Sequence, residues 1–244
     1  MIKHITFELC AETLQACLAA REGGAHRIEL CSSLSEDGLT PSNGLIRAAV
    51  EQSGLPIHVL LRPRSGGFIY TAGEFALILD DMKHAIDLGA SGFVVGALHA
   101  DSTIDLDRTN ELVELAAPLE LTFHRAFDLT PLLDASLEAL IAAGCRRVLT
   151  SGGESDVVAG AVNLARLVEQ AEGRIDIAVG GGLRLSNATS VARSTHAKHF
   201  HGSMRRQVKR QAIFIRDNVL TSQSHEYVVD PETIQAMVKA LSES

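Results

Sequence analysis

Eight short apolar runs recur along the chain, near residues 5–10, 27–31, 57–62, 92–97, 120–125, 146–150, 175–179 and 198–202. Segments of helical period separate most of them. Leu14, Cys17 and Leu18 make one stripe, and Phe75, Leu79, Met82 and Ile86 a second. Leu132, Leu133, Leu137, Leu140 and Ile141 make a third, and Val162, Ala165, Leu167 and Val168 a fourth. Such alternation predicts βα units and a parallel sheet. A repeated junction supports the count: Gly24-Ala25, Gly89-Ala90 and Gly144-Cys145 each follow a helical pattern and precede a strand. The glycine suits a left-handed helix C-cap, and the small residue after it suits a tight αβ turn. Eight strands with this punctuation predict an α/β fold, a single-domain TIM-type (β/α)8 barrel over residues 1–244. A doubly wound sheet would place Gly-x-Gly-x-x-Gly after its first strand; here the glycine run, Gly180-Gly181-Gly182, comes after the seventh.

The 244 residues are a usual length for such a barrel, and 46% of them are hydrophobic, enough for a large core. With no Trp and two Tyr, base stacking has little to work with, and a formal charge of −8 opposes general binding to nucleic acid. No apolar run reaches the ~20 residues of a membrane span. The opening MIKHITFELC reads as an immediate first strand, so a cytoplasmic location is expected. In a reducing compartment Cys10, Cys17, Cys31 and Cys145 are free thiols, metal ligands or core filler.

The strands hold more polar residues than a structural barrel requires. Period-two alternation groups Glu8 with Cys10, Glu29 with Cys31, Arg62 with Arg64, Thr122 with His124, and His201 with Ser203. Between them lie Phe7, Leu9, Ile28, Leu30, Leu61, Phe123 and Phe200, which suit the interface with the helices. The polar sets are therefore expected to face the lumen, with the later member of each pair nearer the C-terminal mouth, where barrel active sites form.

Phe7-Glu8-Leu9-Cys10 and Ile28-Glu29-Leu30-Cys31 repeat one pattern on adjacent strands, ~4.8 Å apart. Cys10 and Cys31 can therefore meet, and a soft ion held linearly between two thiolates needs sulfurs at most ~4.6 Å apart. Two soft ligands without oxygen ligands of their own favour Cu(I). Alternatively both are small buried residues. Cys17 and Cys145 read as packing residues. Glu8, Glu29 and His124 are the candidates for acid–base work. Arg62, Arg64 and Arg125 are placed to hold a carboxylate or phosphate. The other reading of these charges is an ion network that fixes the interior.

Gly181 and Gly182 after strand seven, with His201 and Ser203 at strand eight, occupy the loops that bind phosphate in many barrels. The segment 205–229 reads as irregular, and its Arg205, Arg206, Lys209, Arg210 and Arg216 either receive an anion or are solvated. Asp230, Pro231 and Glu232 then signal a helix start. His196, His199 and His201 have no acid close in sequence and do not read as a zinc triad. None of Lys3, Lys83, Lys198, Lys209 and Lys239 falls late in a strand, which argues against Schiff-base chemistry.

Several ordered motifs together resemble the CutC family, the copper homeostasis proteins. They are Gly23-Gly24-Ala25-His26-Arg27-Ile28-Glu29-Leu30-Cys31, Leu39-Thr40-Pro41-Ser42, Arg62-Pro63-Arg64 and Thr122-Phe123-His124-Arg125-Ala126-Phe127-Asp128. Arg147-Val148-Leu149-Thr150-Ser151-Gly152, Gly180-Gly181-Gly182, Phe200-His201, Ser203 and Arg205 complete the set. The resemblance implies a TIM-type barrel, a cytoplasmic homo-oligomer, a role in copper handling, and copper(I) ligands at Cys10 and Cys31. One stretch departs from it. Where the family usually reads Arg-Pro-Arg-Gly-Gly-Asp-Phe, this chain has Arg62-Pro63-Arg64-Ser65-Gly66-Gly67-Phe68, so Gly67 stands in place of a carboxylate.

Three readings follow. The first is a Cu(I)-binding barrel, and the second an enzyme acting on a small phosphorylated or carboxylated metabolite. The third, an assembly scaffold, has no exposed apolar stripe or heptad pattern behind it.

Overall fold

The computed structural model describes residues 5–209 and 225–244. Eight parallel strands close into a barrel in sequence order: β1 (Thr6–Ala11), β2 (Arg27–Leu30), β3 (Ile57–Leu60), β4 (Gly92–Val95), β5 (Glu120–Phe123), β6 (Arg147–Thr150), β7 (Asp176–Val179) and β8 (His199–Gly202), with β8 pairing back onto β1. The outer ring is α1 (Leu14–Glu22), α2 (Asn43–Ser53), α3 (Ala72–Asp87), α4 (Leu106–Ala116), α5 (Leu133–Ala143), α6 (Ala161–Ala171), α7 (Ala188–Thr195) and α8 (Pro231–Ser242). The expected (β/α)8 barrel is thus the observed one, and its eight strands fall where the apolar runs do. Among the described residues no helix is long and apolar enough to cross a membrane.

The expected junctions also form. Gly24, Gly89 and Gly144 have φ of +78°, +89° and +86°, a region open to glycine at little cost. Asp230 precedes α8, with Pro231 at its first position. Its carboxylate caps no helix N–H, however, and instead binds the guanidinium of Arg206.

The helical stripes needed adjustment. In α1 the buried face is Ala16, Cys17, Ala19 and Ala20, small residues that let the helix lie close, while Leu18 is partly exposed. In α6 Leu164, Leu167 and Ala171 are buried and Val162 is 82% exposed. Leu132 precedes α5 and is also exposed. The segment after β8 departs more. Arg205–Lys209 (β9) pairs antiparallel with His225–Val229 (β10), where an irregular loop was expected. Arg205 stacks on Tyr227 at 4.3 Å and lies 3.5 Å from Glu12, which ties the ribbon to the end of β1. Arg210 and Arg216 lie outside the described residues.

Alternation sorts the strand side chains as anticipated. Phe7, Leu9, Ile28, Leu30, Phe123 and Phe200 join the main apolar cluster between sheet and helices. Inside the barrel, Cys10, Cys31, Leu60 and Val94 form a separate small cluster. Below it the floor is ionic. Arg147, 1% exposed, lies 3.8 Å from Glu8, 3.4 Å from Glu120 and 3.9 Å from Asp176. Arg27 reaches the same Glu8 and Glu120 at 3.6 and 3.3 Å. A buried cation shared among carboxylates is costly to remove, because each acid left behind keeps its desolvation penalty. Arg147→Ala should lower the unfolding free energy measured in urea by about 3 kcal/mol, toward the low end for broken buried pairs because Glu120 is half-exposed.

Candidate functional site

The register of the first two strands sets the thiol geometry. Cys10 lies opposite Glu29, and Cys31 sits one pleat further toward the mouth, its N–H donating to Ala11 O. Both side chains point inward, and the sulfurs lie 3.6 Å apart, inside the limit for a shared ion. The environment differs from the expectation in one respect. The Cys10 thiol lies 3.5 Å from Glu29 Oε1, and Cys10, Glu29 and His201 present ligand atoms all within 4.8 Å of one another. The thiols therefore do have an oxygen and a nitrogen beside them. The hydrogen bond to Cys31 and then burial raise the Cys10 thiol well above its usual range, so it is protonated at neutral pH. Cys17 and Cys145 pack in the main apolar cluster, and burial pushes each up to about 12.

The two sulfurs are not equally placed. Cys10 lines the cavity at the mouth, whereas Cys31 is fully buried beneath the β2–α2 loop. Gly38 of that loop, at φ +86°, leaves only 3.5 Å between the position of a Cβ there and the Cys31 Cβ, and 2.6 Å to Leu60. A side chain at residue 38 would displace the cover.

His201 follows from β1–β8 pairing, which sets it opposite Glu8. Its Nδ1 lies 2.8 Å from Glu8 Oε1 and 4.0 Å from Glu29 Oε2. Burial opposes charge on both partners. For Glu8 the hydrogen bond and charge of His201, with Arg147 behind, outweigh burial and hold the carboxyl well below the usual range. For His201 the nearby Glu29 and Glu8 outweigh it and raise the imidazole. Glu29 itself is raised, mainly by burial. Glu8 and His201 thus form an imidazolium–carboxylate pair that distant strands supply, although sequence placed no acid near the histidines. His199 similarly lies 3.4 Å from Asp176, and His196 is exposed.

His124 follows β5 and caps the short 3-10 helix Arg125–Leu129, its Nδ1 accepting the Ala126 N–H at 3.1 Å. The proton therefore sits on Nε2, which is buried and has no acceptor among the described residues. Burial, then the charge of Arg62, depress this imidazole to about 3. Gly96 makes the fit possible, since a Cβ there would lie 2.3 Å from His124 Cε1.

A cavity of about 860 Å3 opens at the C-terminal end of the strands. Cys10, Glu29, Arg62, His124, Arg125 and His201 line it, as do Gly181, Gly182 and Ser203. Glu8 and Cys31 lie beneath its wall. Arg64 does not join: its side chain is 38% exposed, pairs with Glu74 and donates to Gly67 O and Ile69 O. β3 ends at Leu60, so alternation no longer fixes the direction of residue 64. A Cβ at Gly67 would meet nothing within 4 Å, so the missing carboxylate leaves open space. The glycine run makes room: a Cβ at Gly180 would come within 2.9 Å of His201, and one at Gly181 within 2.9 Å of Arg125.

Three supporting residues escaped the site list drawn from the sequence. Arg147 and His58 obey the alternation used for the other strands and lie inward, both nearly fully buried. Burial depresses His58 to about 3. Asp128 accepts from Arg125 Nε at 2.8 Å, from the N–H groups of Ser151 and Gly153, and from the hydroxyls of Thr150 and Ser151. It ties the loop after β6 to the base of Arg125, and no strand period points to it.

The sequence pattern that defines the CutC family matches residues 5–206. A CutC family protein of Chromobacterium violaceum is 41% identical over 238 residues, covering 97% of this chain and 96% of that one. One of Mesorhizobium japonicum is 47% identical over 194 residues, covering 80% and 75%. A crystal structure assigned as the copper homeostasis protein CutC of Streptococcus agalactiae superposes with a TM-score of 0.78 at 32% identity, covering 82% of this chain and 98% of that one.

The three buried imidazoles should separate in a nitrogen-15 NMR titration. His58 and His124 should remain neutral at pH 5, far above their values of about 3, while His201 should still be charged above pH 6.5. Because the unfolded chain takes up protons at His58 and His124 below ~6.5 and the folded chain does not, these two should make stability fall as pH drops from ~6.5 toward 3. Replacing His58 with Phe should flatten that fall in urea melts.

Proposed function

The chain belongs to the CutC family, and from that premise we propose that it is a copper homeostasis protein that holds Cu(I) as cargo between the sulfurs of Cys10 and Cys31. The observation that carries the reading is the 3.6 Å separation of two inward thiols from adjacent strands, one of them reaching the cavity. Widening to the ~4.6 Å of a linear site takes a shift of about 1 Å, within the reach of side-chain rotation. Soft thiolates select Cu(I), and Glu29, which already accepts from the Cys10 thiol, stands close enough to take up its displaced proton; His201 would add a third ligand only after giving up its own. The related structure assigned to copper homeostasis supports copper as the metal. Four free cysteines fit a reducing cytoplasm, and we extend the reading to a homo-oligomer on family grounds.

Anaerobic titration of reduced protein with Cu(I) against a competing chelator tests the proposal. Cys10→Ser with Cys31→Ser should weaken binding by at least ~100-fold; equal affinity in wild type and double variant defeats it. Since the Cys10 proton must leave, affinity should rise about tenfold or more per pH unit between pH 6 and 8.

A further inference from the structure

We propose that the mouth cavity also receives a small organic anion, whose carboxylate or phosphate oxygens bind the guanidinium of Arg62 and the Nε2–H of His124, at a corner separate from the thiol pair. Two independent observations meet there.

The first is a buried cation without a counter-ion. Arg62 is 3% exposed and lines the cavity. Its Nη1 donates to Glu36 O at 2.6 Å and Gly38 O at 2.9 Å, and its Nη2 to Gly66 O at 2.7 Å. These are neutral dipoles. Among the described residues no carboxylate lies within 4.0 Å of the guanidinium, whereas Arg27, Arg125 and Arg147 each have one. Tyr70, its other neighbour, keeps its phenol proton because burial raises it. The carbonyls orient the group and leave its charge unmatched, an arrangement that favours an incoming anion.

The second is a buried donor without an acceptor. His124 is 6% exposed, its Nδ1 is taken by the Ala126 N–H, and its Nε2–H meets no acceptor among the described residues. A satisfied fold leaves few such groups, and each calls for a partner. Phe68 links the two donors: its ring centroid lies 5.0 Å from Arg62 Cζ and 4.7 Å from the His124 ring.

The corner presents hydrogens rather than lone pairs, so it suits oxygen acceptors and repels cations. It is chemically the converse of the thiol site, against which Leu60, another residue of the cavity wall, packs. Phe68 packs on both donors, Leu60, Leu129 and Leu149 also line the cavity, and the volume of about 860 Å3 accommodates an organic body beyond the anionic group. Arg184 at the rim adds positive potential in a chain whose formal charge is −8, whereas Arg205 and Arg206 are paired with Glu12 and Asp230.

The test uses reduced, metal-free protein, with malonate, glycerol 3-phosphate and inorganic phosphate as probes. Affinity is read by calorimetry, and the His124 Nε2–H by nitrogen-15 NMR. At least one probe should bind and shift that resonance; tighter malonate identifies a carboxylate, tighter glycerol 3-phosphate a phosphate. His124→Phe should weaken binding about tenfold or more, the effect of one hydrogen bond to a charged group, while His124→Gln, which keeps an uncharged donor, should recover most of it. Failure of all three probes to bind below 10 mM, on the order of the weakest affinity a built site would show, overturns the proposal. So does undiminished binding by a folded His124→Phe variant, or binding that appears only after copper is added. Because the measurements are made without metal, their failure leaves the copper reading untouched.

Discussion

The carboxylate of Glu8 joins two parts of the barrel interior. One oxygen meets His201 at 2.8 Å, and the other faces Arg27 and Arg147 at 3.6 and 3.8 Å. Through it, the ionic floor fixes the position and charge of the imidazole at the mouth. His201 in turn stands beside Glu29, which touches Cys10. The thiol pair therefore sits at the end of a chain of oriented polar groups anchored in a fully buried arginine. Low local polarity strengthens each link and makes a broken one expensive.

Above that floor the mouth divides by chemistry. On the side of β1, β2 and β8 lie sulfur, carboxylate and a charged imidazole, groups that can give up or take up a proton. On the side of β3 and β5 lie the guanidinium of Arg62 and the Nε2–H of His124, which are donors. One cavity thus brings two kinds of polar group to the same rim. Parallel strands make this possible, because every strand ends at the same rim and contributes a different side chain to it.

Much of this arrangement was readable from alternation. Phe7, Leu9 and Phe200 against Glu8, Cys10 and His201 identify the inner face before any coordinates, and the junction glycines locate the strand starts. The rule works only while the chain stays in the ladder. Arg64, four residues past the end of β3, follows the turn at Ser65-Gly66 and points outward. The β9–β10 ribbon was missed because β9, Arg-Arg-Gln-Val-Lys, carries almost no hydrophobic signal. Helix faces slipped where small residues pack: α1 is buried through alanines, and bulky Leu18 misled the stripe. Spatial partners were the hardest to foresee. Nothing local couples Glu8 to His201, 193 residues away; closure of the barrel does.

The cover that Gly38 forms over Cys31 has a consequence for traffic. Arg62 holds that cover through the Glu36 and Gly38 carbonyls, leaving Cys10 as the sulfur that faces the opening. A soft ion arriving from a donor thiol would attach first to Cys10 and only then swing inward to its partner. Departure would run in reverse, the inner bond yielding before the outer one. Such asymmetry suits stepwise ligand exchange, because an entering thiolate would reach the ion at the outer sulfur while the inner one still held it.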